Sequence, residues 1–185
     1  MKWSAEPRLM RQPVHLLAFG FGAGLMPVAP GTFGTLIAIP IVAFVMQFGW
    51  QVHVAFAIVA SVTGVWICGE SARRLGVHDH GGIVWDEIAG FAITMLAAPS
   101  MDWYWWLAGF ALFRFFDIVK PWPIREADHR LRGGLGIMLD DVIAGLFAAA
   151  LLFALTTVVR IQNPGEAFFE HSDGTAPSHT RAAHS

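Results

Sequence analysis

Between residues 14 and 159, this sequence alternates between long apolar stretches and short polar segments. A helix that crosses about 30 Å of hydrocarbon needs roughly 20 apolar residues, because each residue advances it by about 1.5 Å. The stretches therefore predict helices that span a membrane. Five are long enough or nearly so, and the fourth is the shortest: residues 33–49, 52–69, 83–99, 103–116 and 142–159.

A further apolar stretch, residues 14–28, is interrupted by Gly20, Gly22, Gly24 and Pro27. Glycine and proline weaken a helix, so this segment suits a re-entrant or interfacial helix better than a complete span. Its glycines and the lack of a small-residue cleavage motif also argue against a removable signal peptide. The expected fold class is all-α, a polytopic membrane bundle of about five spans plus this N-terminal segment, with six spans as the alternative.

Composition supports a membrane protein. Of the 185 residues, 55% are apolar and only 14% are charged, which is unusual for a soluble domain. The net charge of -2 provides no basic surface for nucleic acid. Cys68 is the single cysteine, so an internal disulfide is excluded. Residues 163–185 are rich in Ser, His, Gly and Thr and predict a disordered polar tail after a membrane-embedded domain of residues 1–162.

Lysine and arginine are concentrated on one side of the predicted spans. The connections around residues 50–52 and 100–102 contain neither, whereas the opposite connections contain nearly all of them, with Arg160 as the exception. Because basic loops remain in the cytoplasm, the N-terminus is predicted to be cytoplasmic. The same face then carries the three polar segments, residues 20–35, 70–87 and 114–141.

Two predicted spans begin with related sequences, DEIAG at residues 86–90 and DVIAG at residues 141–145. In each, a carboxylate is followed four residues later by a glycine on the same helix face. Glycine lets another helix approach closely, so Asp86 and Asp141 are expected to converge. A single acid at a helix start is more simply a helix cap. Ionisable residues that border a span are costly, however, unless they are paired or bind a metal.

Three more acids accompany these two. Adjacent helical residues point about 100° apart, so Asp140 and Asp141 cannot face one site, and one is expected to bind while the other orients or caps. Asp117 lies three residues after Arg114, with which it can form an ion pair. Carboxylates without thiolates or clustered imidazoles favour Mg²⁺. The predicted metal ligands are Asp86, Glu87, Asp117, Asp140 and Asp141.

Basic and glycine-rich segments predict a site for phosphate. Lys120 and Arg125 suit phosphate oxygens, although an ordinary basic loop explains either one equally well. The sequence GTFGT at residues 31–35 opens a helix, and the free N–H groups of a helix start favour an anion. Capping is the alternative role for its threonines. The predicted phosphate-binding residues are Lys120, Arg125, Gly31, Thr32 and Thr35.

Two histidines precede Asp86, in the sequence GVHDHGG at residues 76–82. Neutral imidazoles can relay protons near pH 7, and ordering of the loop is the alternative role. Paired histidines at zinc-ligand spacing are absent, so zinc is not expected. The predicted catalytic residues are Asp86, Glu87, Asp141, His78 and His80.

Together, the segments FGAGLMPVAPGTFGTLIAIP, GVHDHGGIVWDE, FRFFDIVKPWPI and GGLGIMLDDVIAG resemble the phosphatidylglycerophosphatase A family over about residues 14–160. The resemblance implies a multi-pass enzyme of the bacterial inner (cytoplasmic) membrane. It implies Mg²⁺-dependent removal of the terminal phosphate from phosphatidylglycerophosphate at the cytoplasmic face, giving phosphatidylglycerol. The expected partners are this substrate and the lipid bilayer, without nucleic acid or an obligatory protein partner. The likeness leaves the role of each acid open.

Other functions are weighed against lipid phosphate hydrolysis. The signatures of CDP-alcohol phosphatidyltransferases and of cation-independent lipid phosphatases are absent. So is the aspartyl-phosphate signature of the haloacid dehalogenase type, which favours activated water over an attacking carboxylate. A membrane transporter or ion-coupled carrier could use the acids to bind cations. Transporters place such groups near the midplane, however, whereas these acids lie at one interface. Transport is therefore the alternative function.

Overall fold

The computed structural model describes residues 7–77, 80–122 and 133–162. All regular structure in these residues is helical, which confirms the all-α class. Short 3₁₀ helices, Pro7–Arg11 and Gly20–Leu25, flank the first α-helix. The α-helices of the described residues are α1 (Pro13–Ala18), α2 (Pro30–Met46), α3 (Trp50–Leu75), α4 (Trp85–Met95), α5 (Trp103–Val119) and α6 (Gly134–Gln162).

The N-terminal apolar segment is broken, as its glycines predict. After α1 the chain enters a 3₁₀ helix in which Phe21 and Gly22 have φ of 57° and 102°. Positive φ interrupts a right-handed helix. The six residues of α1 extend only about 9 Å, so this helix is far too short to cross a bilayer.

Helix α4 is the centre of the bundle. Every residue from Glu87 to Met95 is buried, and α4 contacts α2, α3, α5 and α6. A helix that is enclosed on all sides needs no polar face, which explains why α4 is apolar from Ile88 to Met95 except for Thr94. The apolar stretch 83–99 predicts a longer helix, but α4 has 11 residues and is about 17 Å long. It does not reach across a hydrocarbon core by itself.

Glycines form the closest helix contacts. A Cβ atom added at Gly145 would overlap the carbonyl oxygen of Gly90, and one added at Gly90 would lie 2.7 Å from the carbonyl oxygen of Asp141. The backbones of α4 and α6 therefore touch at this point. The hydroxyl of Thr94, on α4, also donates to the carbonyl of Gly145, on α6, at 3.4 Å. The close approach predicted from the two glycines is present.

Two helices continue beyond the apolar stretches that predict them. Helix α3 passes residue 69 and ends at Leu75, before Gly76 in the left-handed conformation. Helix α6 begins at Gly134, eight residues before the predicted start at residue 142. Hydropathy marks only the apolar part of a helix, whereas charged residues form helices well. As a consequence, Asp141 lies about two turns inside α6, and capping of the first turn does not account for it.

The outer surface of the bundle indicates association with a membrane. Helices α3 and α6 have 26 and 29 residues and are long and apolar enough to cross a bilayer. Large apolar patches are rarely exposed by soluble monomers. The predicted number of five spans stays a prediction. On α3, five large side chains are more than half exposed: Trp50, Ile58, Val59, Val62 and Trp66.

Candidate active site

Three carboxylates gather where α4 and α6 meet, and we call them the carboxylate cluster. Asp86 and Glu87 lie in the first turn of α4, and Asp141 lies on α6. One carboxylate oxygen from each lies within 4.8 Å of the others. Glu87 and Asp141 are 8% and 3% exposed, and Asp86 is half-buried. Like charges at this spacing and burial are costly unless a cation or a proton offsets them.

The cluster has the chemistry of a divalent cation site. Its ligand atoms are all carboxylate oxygens, which Mg²⁺ prefers. The Oε2 atom of Glu87 is buried and has no hydrogen-bond partner among the described residues. A buried oxygen without a donor is unfavourable, and a bound cation would satisfy it. The residues present therefore fit the ion that the sequence predicts.

Arg114, on α5, brings a positive charge next to the cluster. Its Nη1 atom lies 2.6 Å from Oδ2 of Asp117 and 3.7 Å from Oε1 of Glu87. The ion pair between residues three apart on one helix is the one expected from their spacing. Asp117 is in turn a close charge neighbour of Glu87 and Asp141. Arg114 is absent from the residues predicted for the site, although a lone arginine in an apolar stretch was a signal for it.

Lys120 ends α5 and pairs with Asp140. Its backbone is left-handed, with φ of 43°, which is uncommon for a residue with a side chain. Pro121 follows and cannot continue the helix, so α5 ends at Val119. The Nζ atom of Lys120 donates to Oδ2 of Asp140. Asp140 is thus paired with a lysine while its neighbour Asp141 joins the cluster, which is the division expected from their divergence along a helix.

The start of α2 closes one side of the site. Pro30 is the first residue of α2, and Gly31 follows it. A Cβ atom added at Gly31 would overlap Oε1 of Glu87 and would lie 3.1 Å from Nη1 of Arg114. A larger residue at this position would therefore displace the side chains of Glu87 and Arg114. The first N–H groups of a helix lack intrahelical acceptors and lie at the positive end of its dipole.

The two predicted threonines make hydrogen bonds at the start of α2, Thr35 through its hydroxyl and Thr32 through its backbone. Thr35 is fully buried, and its hydroxyl donates to the carbonyl of Gly31 at 3.0 Å. Thr32 is half-buried, and its N–H donates to the carbonyl of Ala29 at 3.0 Å. Both contacts stabilise the start of the helix.

The histidine segment lies to one side of the cluster. His80 is buried, its ring lies 5.2 Å from that of Phe19, and its Nδ1 atom accepts from the N–H of Gly82 at 2.9 Å. It orders the turn that leads into α4. His78 and Arg125 lie outside the described residues.

Fold and site define the class of the protein, an apolar helical bundle with buried carboxylates and basic side chains at one end. The chain belongs to the phosphatidylglycerophosphatase A family, whose sequence model matches residues 16–156. It is therefore an enzyme, a phosphatase, and the resemblance seen in its motifs is confirmed.

Two similar proteins have the name of this family. Phosphatidylglycerophosphatase A of Escherichia coli is 48% identical over 150 residues, which cover 80% of this chain and 87% of that protein. Phosphatidylglycerophosphatase A of Haemophilus influenzae is 47% identical over 144 residues, which cover 77% of this chain and 88% of that protein. No solved structure matches the chain.

Proposed function

We propose that this phosphatase removes the terminal phosphate from phosphatidylglycerophosphate, giving phosphatidylglycerol, at the cytoplasmic face of the inner membrane. The names of the two phosphatidylglycerophosphatase A relatives point to this substrate. The observation that carries the proposal is the carboxylate cluster at the end of a bundle with an apolar outer surface. A substrate with a phosphate head and acyl chains matches both features. Family membership gives no support to the alternative of a transporter.

Exposed apolar side chains near the site support a lipid substrate. Val28, two residues before α2, is 73% exposed, and Trp122, two residues after Lys120, is 81% exposed. Phe21 and Met26 are exposed nearby in the chain. Large apolar and aromatic side chains of this kind are stabilised at the boundary between lipid and water. This surface supports the proposal that the start of α2 and the end of α5 lie next to the acyl chains of the substrate.

We assign Mg²⁺ to Asp86, Glu87 and Asp141. When bound, the ion would supply Lewis-acid polarisation of the phosphate and a compensating positive charge. Asp117 and Asp140 are also predicted as ligands, but each faces a basic side chain. We therefore assign these two acids to the orientation of Arg114 and Lys120.

The residues of the chain perform the remaining steps. A carboxylate of the cluster accepts a proton from the water whose oxygen attacks phosphorus. The bond between phosphorus and the glycerol oxygen breaks, and that oxygen takes up a proton, so the products are phosphatidylglycerol and inorganic phosphate. Lys120 and the N–H of Gly31 stabilise the charge on the phosphate oxygens. His80 orders the turn before α4, and His78 and Arg125 stay candidates for proton relay and phosphate binding.

A phosphate-release assay on the purified protein in detergent micelles tests the proposal. The lipids are phosphatidylglycerophosphate and phosphatidic acid, each with Mg²⁺ and with EDTA. We expect release from phosphatidylglycerophosphate, faster than from phosphatidic acid, and its loss in EDTA. Equal release in EDTA would contradict the role of Mg²⁺. A faster reaction with phosphatidic acid would contradict the proposal that phosphatidylglycerophosphate is the substrate.

A further inference from the structure

We propose that Arg114 binds the terminal phosphate of the substrate and that Asp117 is a positioning residue that acts through Arg114. The inference rests on the proposed function and deepens it, because it adds a phosphate-binding residue. It also separates Asp117 from the metal ligands.

The first support is the position of Arg114. Its Nη1 atom lies 3.7 Å from Oε1 of Glu87, so a phosphate bound at the carboxylate cluster would contact the guanidinium. The Arg114 side chain is only 14% exposed. A buried guanidinium interacts more strongly with an anion than an exposed one does, because water screens it less.

The second support is the donor capacity that Arg114 retains. A guanidinium carries five N–H donors. The Nη1 atom of Arg114 forms an ion pair with Oδ2 of Asp117 at 2.6 Å. Its distance of 3.7 Å from Oε1 of Glu87 is too long for a hydrogen bond. The Nε atom is buried and has no hydrogen-bond partner among the described residues. Buried donors without acceptors are unfavourable, and phosphate oxygens would satisfy them.

The third support is the shape of the site around the guanidinium. A Cβ atom added at Gly31 would lie 3.1 Å and 3.3 Å from Nη1 and Nη2 of Arg114, so the start of α2 lies directly against them. This contact and the Asp117 ion pair hold the guanidinium in one place. A fixed, planar fork suits the two-oxygen contact that arginine makes with phosphate.

Kinetics of four variants test the inference. They are Arg114→Gln, Arg114→Lys, Asp117→Asn and, as a matched control, Arg160→Gln, which alters an exposed arginine near the end of α6. The measurements are kcat, KM, the inhibition constant of inorganic phosphate, and the Mg²⁺ concentration for half-maximal activity. Thermal unfolding in detergent shows whether each variant is folded.

For Arg114→Gln we expect the inhibition constant of phosphate to rise by about 10- to 100-fold, since hydrogen bonds to charged groups are worth roughly that factor. The Mg²⁺ requirement should stay unchanged. Arg114→Lys should have an intermediate effect because it keeps the charge without the fork. Asp117→Asn should raise the same constant by a smaller factor, and Arg160→Gln should match the wild type.

An unchanged inhibition constant in Arg114→Gln would overturn the inference, as would a higher Mg²⁺ requirement in Asp117→Asn without a change in phosphate inhibition. If Arg114→Gln does not fold, Arg114→Lys takes its place, and an unchanged inhibition constant of phosphate in that variant would overturn the inference. If the wild type releases no phosphate from lipid, the binding of inorganic phosphate is followed by the fluorescence of its 8 tryptophans. Binding that depends on Arg114 would then support the inference while the proposed function fails.

Discussion

Asp140 and Asp141 are neighbours in α6 and are both buried, yet they have different partners. Asp141 joins two acids of α4, whereas Asp140 pairs with Lys120. The same substitution at the two positions should therefore affect different properties. Removal of Asp141 takes away a ligand of the proposed cation, while removal of Asp140 releases a basic side chain.

Asp86→Asn and Asp141→Asn should each lower phosphate release by at least about 100-fold. Residues that only orient a metal ligand already change metal affinity or activity by about 10- to 100-fold, and these two are proposed as ligands themselves. The measurement is phosphate release from phosphatidylglycerophosphate with Mg²⁺.

Asp102→Asn is the matched control for these two variants. Asp102 precedes α5, and the helical rise places it about 22 Å from Asp117 at the other end of that helix. Hydrogen bonds from Ser100 and Tyr104 lower the pKa of Asp102, so this carboxyl is charged at neutral pH. Its variant should keep wild-type activity. Full activity in both cluster variants would contradict the assignment of the site.

Gly31→Ala should lower kcat/KM by about 100-fold, because the new methyl group would overlap Glu87 and press on Arg114. Displacements of about 1 Å in an active site typically have effects of that size. Gly81→Ala is the control, since a Cβ atom there meets nothing within 4 Å. Comparable loss of activity in both variants would show that the effect does not come from the contact with Glu87.

The sequence alone predicts which residues belong to this site better than it predicts which side chains they contact. Asp86 and Asp141 could be linked because a glycine follows each of them at the same spacing of four residues. The proximity of Gly31 to Glu87 could not be predicted, because it depends on how α2 packs against α4 and α5. The pairing of Lys120 with Asp140 depends on a left-handed residue at the end of α5, and apolar periodicity carries no information about such a conformation.

Among the elements, α4 and α6 determine the geometry of the cluster. Their backbones touch at Gly90 and Gly145, about one turn beyond the acids of both helices. Any side chain at this point separates the two helices and moves Asp86 away from Asp141.

Gly145→Ala should reduce the free energy of unfolding by about 1–3 kcal/mol, the usual cost of adding volume to a tightly packed contact. Thermal unfolding in detergent measures this change. Ala150→Leu adds a larger side chain to an exposed position of the same helix and should change stability by less than about 0.5 kcal/mol. Equal stability of the two variants would contradict a close contact at Gly145.

The elements themselves were predictable where apolar stretches coincide with helices. Their ends were not, because Glu70, Arg73 and Arg74 extend α3 through ion pairs that an apolar pattern ignores. The length of α4 was overestimated for a different reason. A helix buried among other helices and a helix exposed to lipid have the same apolar composition, so the sequence does not distinguish a short core helix from a span.

On the scale of the whole molecule, the site and the loop before α5 should lie on opposite sides of the membrane. The distribution of lysine and arginine predicts that the site faces the cytoplasm. Cys68 is buried and gives little background for thiol labelling, so added cysteines can report on each side.

Met101→Cys should react with a membrane-impermeant maleimide in intact cells from which the outer membrane has been removed. Gly81→Cys should react only after the cells are broken. Met101 is 48% exposed and Gly81 is also exposed, so both positions are accessible to the reagent from their own side. The unaltered protein, with Cys68 alone, is the control. The reverse labelling pattern would contradict the predicted orientation.

The enclosure of α4 separates the catalytic geometry from the thickness of the bilayer. Thicker or thinner lipid acts on helices that it touches, and they respond by tilting. Two of the three clustered acids belong to a helix surrounded by protein, and the third is held to it by the glycine contact. Turnover in vesicles of short-chain and of long-chain phospholipids should therefore be similar, and a steep dependence on chain length would mean that lipid reaches the innermost helix.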